Sequence, residues 1–384
     1  MHSTPKNILL TGGRAPATLH LARLFKRQKH KVYIADTFGY NLSGVSKYVD
    51  QSFIIPPPRQ QPKAFVNQLR ILIKDYSIDL LIPTCEETFY VAQYQEAFAR
   101  YCQVFTSGIK LMEQLHSKWN FNQLLRWLEL PYPKSVLTHS RAELNKAVGQ
   151  FHKFVAKPTY SRFADNVIID DKKALEDISI NHQQSWVVQE FIEGDHFCSF
   201  SVVDKGRLTA HSVYPVSYRV GNGAAVYFES IDIPKIKDII TKIIQTTKYT
   251  GFLSFDFIKS SKDGQYYTLE CNPRLTSGIH LFDAKDAFMP FQKPYGVCYP
   301  KPENRMMLTL AILAYSLPEV RSFPAFLKLL KYMTKAEDVV FSWQDLRPFF
   351  AQLFTIFHFY RIAKQNNISI LDATTHHIEW NGNF

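Results

Sequence analysis
The 384 residues predict an α/β domain on a parallel sheet, then an α+β region of antiparallel hairpins, then a mainly helical end. Three observations carry this. Short apolar runs alternate with helical spacing through residues 1–105, paired aromatic and β-branched runs fill 106–300, and amphipathic helical spacing dominates 301–384.

In the first region, residues 6–13 form a short apolar strand that runs into Thr11, Gly12, Gly13 and Arg14, and apolar residues then recur at helical spacing from Ala17 to Phe25. Residues 31–36 (KVYIAD) and 78–83 (IDLLIP) read as later strands, with a helix over 62–74. Such alternation implies parallel pairing. The glycine turn reads TGGRAP and not GxGxxG, so the dinucleotide fingerprint is absent and Asp36 is expected as a strand-end carboxylate rather than a ribose ligand. Glu86 and Glu87 follow the IDLLIP strand, at the edge where open α/β sheets bind ligands. They suit either an amine or the first turn of the next helix.

Ser117 is placed to cap a helix that Lys118 opens. A cation there opposes the helix dipole, so Lys118 needs an anion or solvent. Residues 152–158 form a strand ending at Lys157, followed by the polar loop TYSRFADN with Ser161 and Arg162. Residues 185–201 are two strands broken at Glu193, Gly194 and Asp195, on their own a hairpin. Gln189 and Glu190 before apolar Phe191 and Ile192 suit a purine held by backbone groups between apolar walls.

The stretch 252–274, FLSFDFIKSSKDGQYYTLECNPR, says most. Two β runs flank turn chemistry at Asp263 and Gly264, and folding the chain about residue 263 sets Asp256 opposite Glu270. Period-two alternation puts Glu270 and Asn272 on one face and Leu269 and Cys271 on the other. Two carboxylates and an amide beside Arg274 make either a hard-cation site with an arginine ready for a phosphoryl group, or a solvated face whose charges pair with each other.

Hydrophobic residues at 46% and charged residues at 21% provide an ordinary globular core. The net charge of +11 comes without a nucleic-acid recognition module and suits an anionic nucleotide substrate. The cations Arg23, Lys26, Arg27, Lys29 and Lys31 are expected at a solvated helix end. Five cysteines without a CxxC pair read as reduced thiols and give no zinc pattern. No apolar run is long enough to span a bilayer, since 349–360 (FFAQLFTIFHFY) is short and holds Gln352 and His358, and the N-terminus lacks the apolar run of a signal peptide. The expectation is a cytoplasmic protein with neither nucleic acid nor membrane as partner. Helical patterns over 306–315, 323–333 and 346–363 are expected to pack as a cap with their aromatics in a core, and the segment from Asp372 reads as a strand reaching back toward the substrate.

An α/β domain, a helix-opening lysine, a strand-end lysine, a QEFIEG segment and an acidic hairpin closing in ECNPR come in an order that resembles the ATP-grasp superfamily of ligases, over about residues 1–290. The resemblance implies a pre-ATP-grasp domain over 1–105, a two-lobed ATP-grasp fold over 106–300 with a mobile lid at about 119–185, and a helical cap over 301–384 outside it. It implies ATP with Mg²⁺ or Mn²⁺. Lys118 and Lys157 would hold phosphates, with Ser161 and Arg162 standing in for glycines this loop lacks. Gln189, Glu190, Phe191 and Ile192 would read adenine, with Glu193 or His196 near the ribose. Asp256, Glu270 and Asn272 would be metal ligands, and Arg274 and Lys157 would steady the transferring phosphoryl group. Arg219, ahead of Gly221, is the candidate for the substrate carboxylate. The implied reaction activates a small-molecule carboxylate as an acyl phosphate and passes it to an amine, releasing ADP and phosphate; a homodimer is left open. The alternatives are a phosphotransferase or a non-catalytic nucleotide-binding protein on the same site.

Overall fold
The apolar runs of the first hundred residues pair side by side as their alternation with helices requires. The computed structural model describes residues 4–161, 167–181, 184–218, 225–292 and 296–382. In it β1 (Asn7–Thr11), β2 (Lys31–Asp36), β3 (Gln51–Ile54), β4 (Leu80–Ile82) and β5 (Gln103–Val104) form one parallel sheet in the order β3-β2-β1-β4-β5. Both faces are covered: Ile8, Leu10 and Ile34 pack with Leu21 and Phe25 of the Pro16–Arg27 helix, while Leu9, Tyr33 and Leu81 pack with Phe65 and Leu69 of the Pro62–Asp75 helix. The glycine turn serves close packing. A Cβ on Gly12, whose φ is +73°, would lie 2.7 Å from Thr84 Oγ1, and one on Gly13 would lie 2.4 Å from Asn41 Oδ1.

Two antiparallel sheets follow. β6 (Ser135–Thr138), β7 (Phe154–Pro158), β8 (Ile168–Ile169) and β9 (Trp186–Glu190) make a small sheet in the order β6-β9-β7-β8. It has its own core of Leu144, Val148, Phe154, Trp186 and Val188. The Lys118–Trp127 helix instead buries Phe121 and Leu125 in the main core with Leu9 and Phe255. β10 (Gly194–Asp204), β11 (Arg207–Pro215), β12 (Tyr227–Glu229), β13 (Gly251–Ser260) and β14 (Tyr266–Asn272) come next, and the larger sheet has the order β11-β10-β13-β14. β9 and β10 are therefore not a hairpin: both edges of β9 are taken by β6 and β7, and residues 191–193 carry the chain from one sheet to the other.

The C-terminal region departs most from expectation. Residues 306–315 are not one helix, because β15 (Arg305–Met307) pairs with β12 and with β16 (Glu337–Asp338) before a short Thr309–Ala311 turn of helix. The segment at Asp372 is helical over Ile370–Ala373 and not a strand, since the Ser369 hydroxyl accepts the Asp372 N–H at 3.0 Å and starts a helix there. It does reach back: Arg14 Nη1 donates to the Thr374 carbonyl at 2.9 Å, and Trp380, wholly buried, stacks on Phe89. Arg23 is not solvated. It is buried against Asp345 at 3.0 Å and donates to the carbonyls of Val339 and Val340, pinning this region to the first helix. The late aromatics are only partly a core. In the Arg347–Asn366 helix Ala351, Thr355, Phe359 and Ile362 face inward, and Phe350, Phe354 and Phe357 are exposed. Among the described residues no helix is long and apolar enough to cross a membrane.

Candidate active site
β13 and β14 place Asp256 directly opposite Glu270, and Ser254 opposite Asn272, as folding about residue 263 requires. One residue further the register slips, because Phe257 pairs with Thr268 and leaves Leu269 as the extra residue of a bulge. The bulge has a use. Freed from the ladder, the Leu269 carbonyl accepts a hydrogen bond from Lys157 Nζ at 3.3 Å, which brings the strand-end lysine of β7 over the hairpin.

Lys118 arrives from the other side. Ser117 accepts the Asn120 N–H and caps the helix, and the buried Lys118 Nζ lies 3.6 Å from Glu270 Oε2 and donates to the Ser161 carbonyl at 3.2 Å. The anion that a cation at a helix start requires is thus Glu270. Asn272 Nδ2 donates to Glu270 Oε1 at 3.5 Å, so this carboxylate is the hub of the group. Burial pushes Glu270 up, but Lys118 and Lys157 outweigh it and hold the carboxyl below its usual range. Asp256 moves the opposite way: burial, then the facing Glu270 carboxylate, push it well above the usual range. Lys157 is brought down to about 8, by burial first and by Lys118 as well, against the attraction of Glu270 and Asp256.

Arg274 turns away from these lysines toward the parallel sheet. Its Nε donates to Glu86 Oε1 at 2.8 Å. The adjacent carboxylates after β4 therefore divide the work: Glu86 faces Arg274, while Glu87 turns inward and accepts from Thr11 Oγ1 at 2.6 Å and from the N–H groups of Thr84 and Cys85. Asp36 is a structural carboxylate, buried with Arg14 and accepting its backbone N–H at 2.7 Å. A cavity of about 460 Å³ opens between the hairpin and the parallel sheet. Asp256, Glu270, Asn272 and Arg274 form one wall, Arg14, Cys85 and Glu86 another, and Leu308, Phe359, Leu371 and Ile378 an apolar roof.

The 189–196 segment lies apart from that cavity, along the junction of the two sheets. Gln189 is buried and donates to Ser135 Oγ at 3.3 Å, Glu190 accepts the Lys134 N–H at 2.8 Å, and the Phe191 N–H donates to the Lys153 carbonyl at 3.1 Å. Phe191 and Ile192 are half-buried, while Glu193 and His196 are exposed. Arg162 and Arg219 lie outside the described residues. Among the described residues no three His, Cys, Asp or Glu side chains cluster for a metal, so the hard donors are two carboxylates and one amide. The facing Asp256 and Glu270 carboxyls and the Asn272 amide bring hard oxygen donors together on one hairpin, and the set fits Mg²⁺.

Residues 115–278 match the family model described as an ATP-grasp domain. This stretch is an ATP-grasp domain. It contains Lys118, Lys157, the 189–193 link and the whole hairpin through Arg274. Among solved structures, the chain is similar to an L-amino acid ligase from Bacillus licheniformis (17% identity, TM-score 0.58, covering 75% of this chain and 72% of that one). It is also similar to a phosphoribosylamine–glycine ligase from Thermotoga maritima (15%, 0.59, 78% and 78%) and to an N5-carboxyaminoimidazole synthetase from Staphylococcus aureus complexed with ADP (15%, 0.57, 73% and 74%). At these identities the likeness is one of fold. A D-aspartate ligase of Enterococcus faecium (strain Aus0004) is 22% identical over 255 residues, and the match spans 58% of this chain and 60% of that relative.

Outside the ATP-grasp domain, Arg14, Cys85 and the roof residues were not legible as site residues, and Glu86 was legible only as one of two carboxylates suited to either an amine or a helix start. Glu86 carried a signal in its place after a parallel strand, but its partner, 188 residues away, did not. Cys198 is paired in register with Asp256 and carried no signal, since a lone cysteine in a strand reads as core.

Proposed function
We propose that the protein is an ATP-dependent ligase that joins a carboxylate to an amine through an acyl phosphate. The observation that carries this is the continuity of two sites. Lys118 and Lys157 gather at the hairpin behind Asp256, Glu270 and Asn272, and those three with Arg274 form a wall of the cavity under the C-terminal roof. A carboxylate held in that cavity attacks the γ-phosphorus of ATP and ADP leaves; the amine then adds to the acyl carbon, loses a proton, and phosphate leaves. Lys157 and Lys118 spread positive charge over the transferring group, and Arg274, oriented by Glu86, faces the oxyanion formed when the amine adds. Mg²⁺ would sit on Asp256, Glu270 and Asn272 and, when bound, neutralises charge on the phosphates. The 191–193 link is the candidate for adenine. Glu190 and the Phe191 N–H are engaged within the small sheet, which leaves the base to other backbone groups of the link and to the Phe191 and Ile192 side chains. Enclosure matters because water would hydrolyse the acyl phosphate, and the separately cored small sheet is suited to closing as a unit. The D-aspartate ligase and L-amino acid ligase similarities favour an amino acid as one substrate.

The test is ADP release with Mg²⁺ and ATP across pairs of amino acids and small carboxylates, with product masses recorded. ADP formed only with particular pairs, with a product mass equal to their sum less water, supports the reading. ADP no higher than in Glu270→Gln for every pair removes its support.

A further inference from the structure
The Arg347–Asn366 helix shows solvent a face that is neither core nor ordinary surface. Phe350, Leu353, Phe354, Phe357 and Tyr360 fall at i, i+3, i+4, i+7 and i+10, on one face of the helix, and are about half exposed or more, with Leu353 at 65% and Phe354 at 61%. The stripe is extended by neighbours. Tyr40 meets Phe354 at 5.7 Å between ring centroids, and Phe349 leads through Phe341 to Trp343, which is 82% exposed. Scattered exposed apolar residues need no explanation, but a contiguous aromatic surface marks contact with something else.

The charges decide what that is. Arg347 lies one turn before Phe350, and Arg361 and Lys364 lie one turn and two turns after Phe357, so exposed cations stand at both ends of the stripe. The Phe323–Met333 helix repeats the pattern with exposed Phe323, Phe326, Leu327 and Leu330 beside Lys328 and Lys331. Neither helix contains an acidic residue, and among the described residues none of these five cations forms an ion pair. Of the acids nearby, Asp345 pairs with Arg23 and Asp338 accepts the N–H groups of Thr309, Val340 and Phe341, while Glu337 is exposed beyond the end of the Phe323–Met333 helix. A second copy packed antiparallel on this helix would set Arg347 against Arg361 and Lys364 with no carboxylate between them. An anionic bilayer accepts both halves of the pattern, aromatic side chains below the headgroups and cations among them.

We infer that the C-terminal helices dock the protein on an anionic membrane surface, lying in the interface without crossing it. This departs from the expectation of no membrane partner, which rested on the lack of a spanning apolar run and on the same aromatics being core. The test is flotation of the full chain with vesicles of phosphatidylglycerol and phosphatidylcholine. Partition onto these vesicles should weaken at high salt. Phe354→Asp with Phe357→Asp should lower it at least about tenfold, and Arg361→Gln and Lys364→Gln about fivefold each, with an unchanged circular dichroism spectrum. The glutamine variants keep the test decisive if the aspartate pair does not fold. No partition onto anionic vesicles at low salt, partition indifferent to the glutamine substitutions, or a dimer in sedimentation that Phe354→Asp dissolves while no vesicle is bound would each overturn the inference.

Discussion
If Lys157 holds phosphate as proposed, nucleotide capture and stability should depend on pH with opposite signs. Burial, with Lys118 adding to it, brings its ammonium from 10.5 down to about 8 in the protein without ligand. That gap corresponds to about 3 kcal/mol between the charged and neutral forms. At pH 7 about nine-tenths of the molecules carry the charge and at pH 9 about one-tenth do. Phosphate capture needs the charge, so kcat/KM for ATP, which reports the free enzyme, should fall about tenfold per pH unit above 8. Stability runs the other way. Between about 8 and 10.5 the unfolded chain holds a proton that the folded lysine has released, so this group's contribution to stability rises with pH across that window, by up to about 3 kcal/mol. The assay is ATP-dependent ADP release from pH 6.5 to 9.5 at fixed ionic strength, alongside urea unfolding of the ligand-free protein from pH 7 to 10.5. Lys157→Arg is the control, because a guanidinium keeps its charge throughout. A wild-type profile flat through pH 9.5, or an unchanged fall in Lys157→Arg, would refute the assignment.

Glu86→Gln leaves Arg274 without its anchor while the phosphate end stays intact. In steady-state kinetics kcat should fall about ten- to a hundredfold with little change in KM for ATP, since a mispositioned side chain costs that order. Trp380→Ala removes a wholly buried ring from between the last segment and Phe89, and should cost about 3 to 5 kcal/mol, read as a lower urea midpoint with the same slope.

The hairpin was the most legible part of the chain because strand alternation and turn position are local properties, and together they fix Asp256 against Glu270. The bulge at Leu269 was not legible, since it answers to Lys157 more than a hundred residues upstream. The parallel sheet followed from alternating strand and helix signals, whereas the split of 185–201 between two sheets did not, because local sequence says a strand ends without saying which partner takes its edge. The C-terminal region misled for a related reason. Helical periodicity locates an apolar stripe but leaves open whether the stripe faces the protein, and in the Arg347–Asn366 helix a smaller set led by Ala351, Thr355 and Phe359 won that contact.

The pairings of Arg14 with Thr374 and Arg23 with Asp345 join residues 360 and 322 positions apart. Contacts of that span form late, since the loop they close must be complete before they repay its entropy. On the ribosome, the lysines and the acidic hairpin emerge while the roof residues Phe359, Leu371 and Ile378 are still untranslated. Without those residues the lysines and the hairpin would lie beneath an open cavity, and on the proposed mechanism an acyl phosphate made there would be exposed to water.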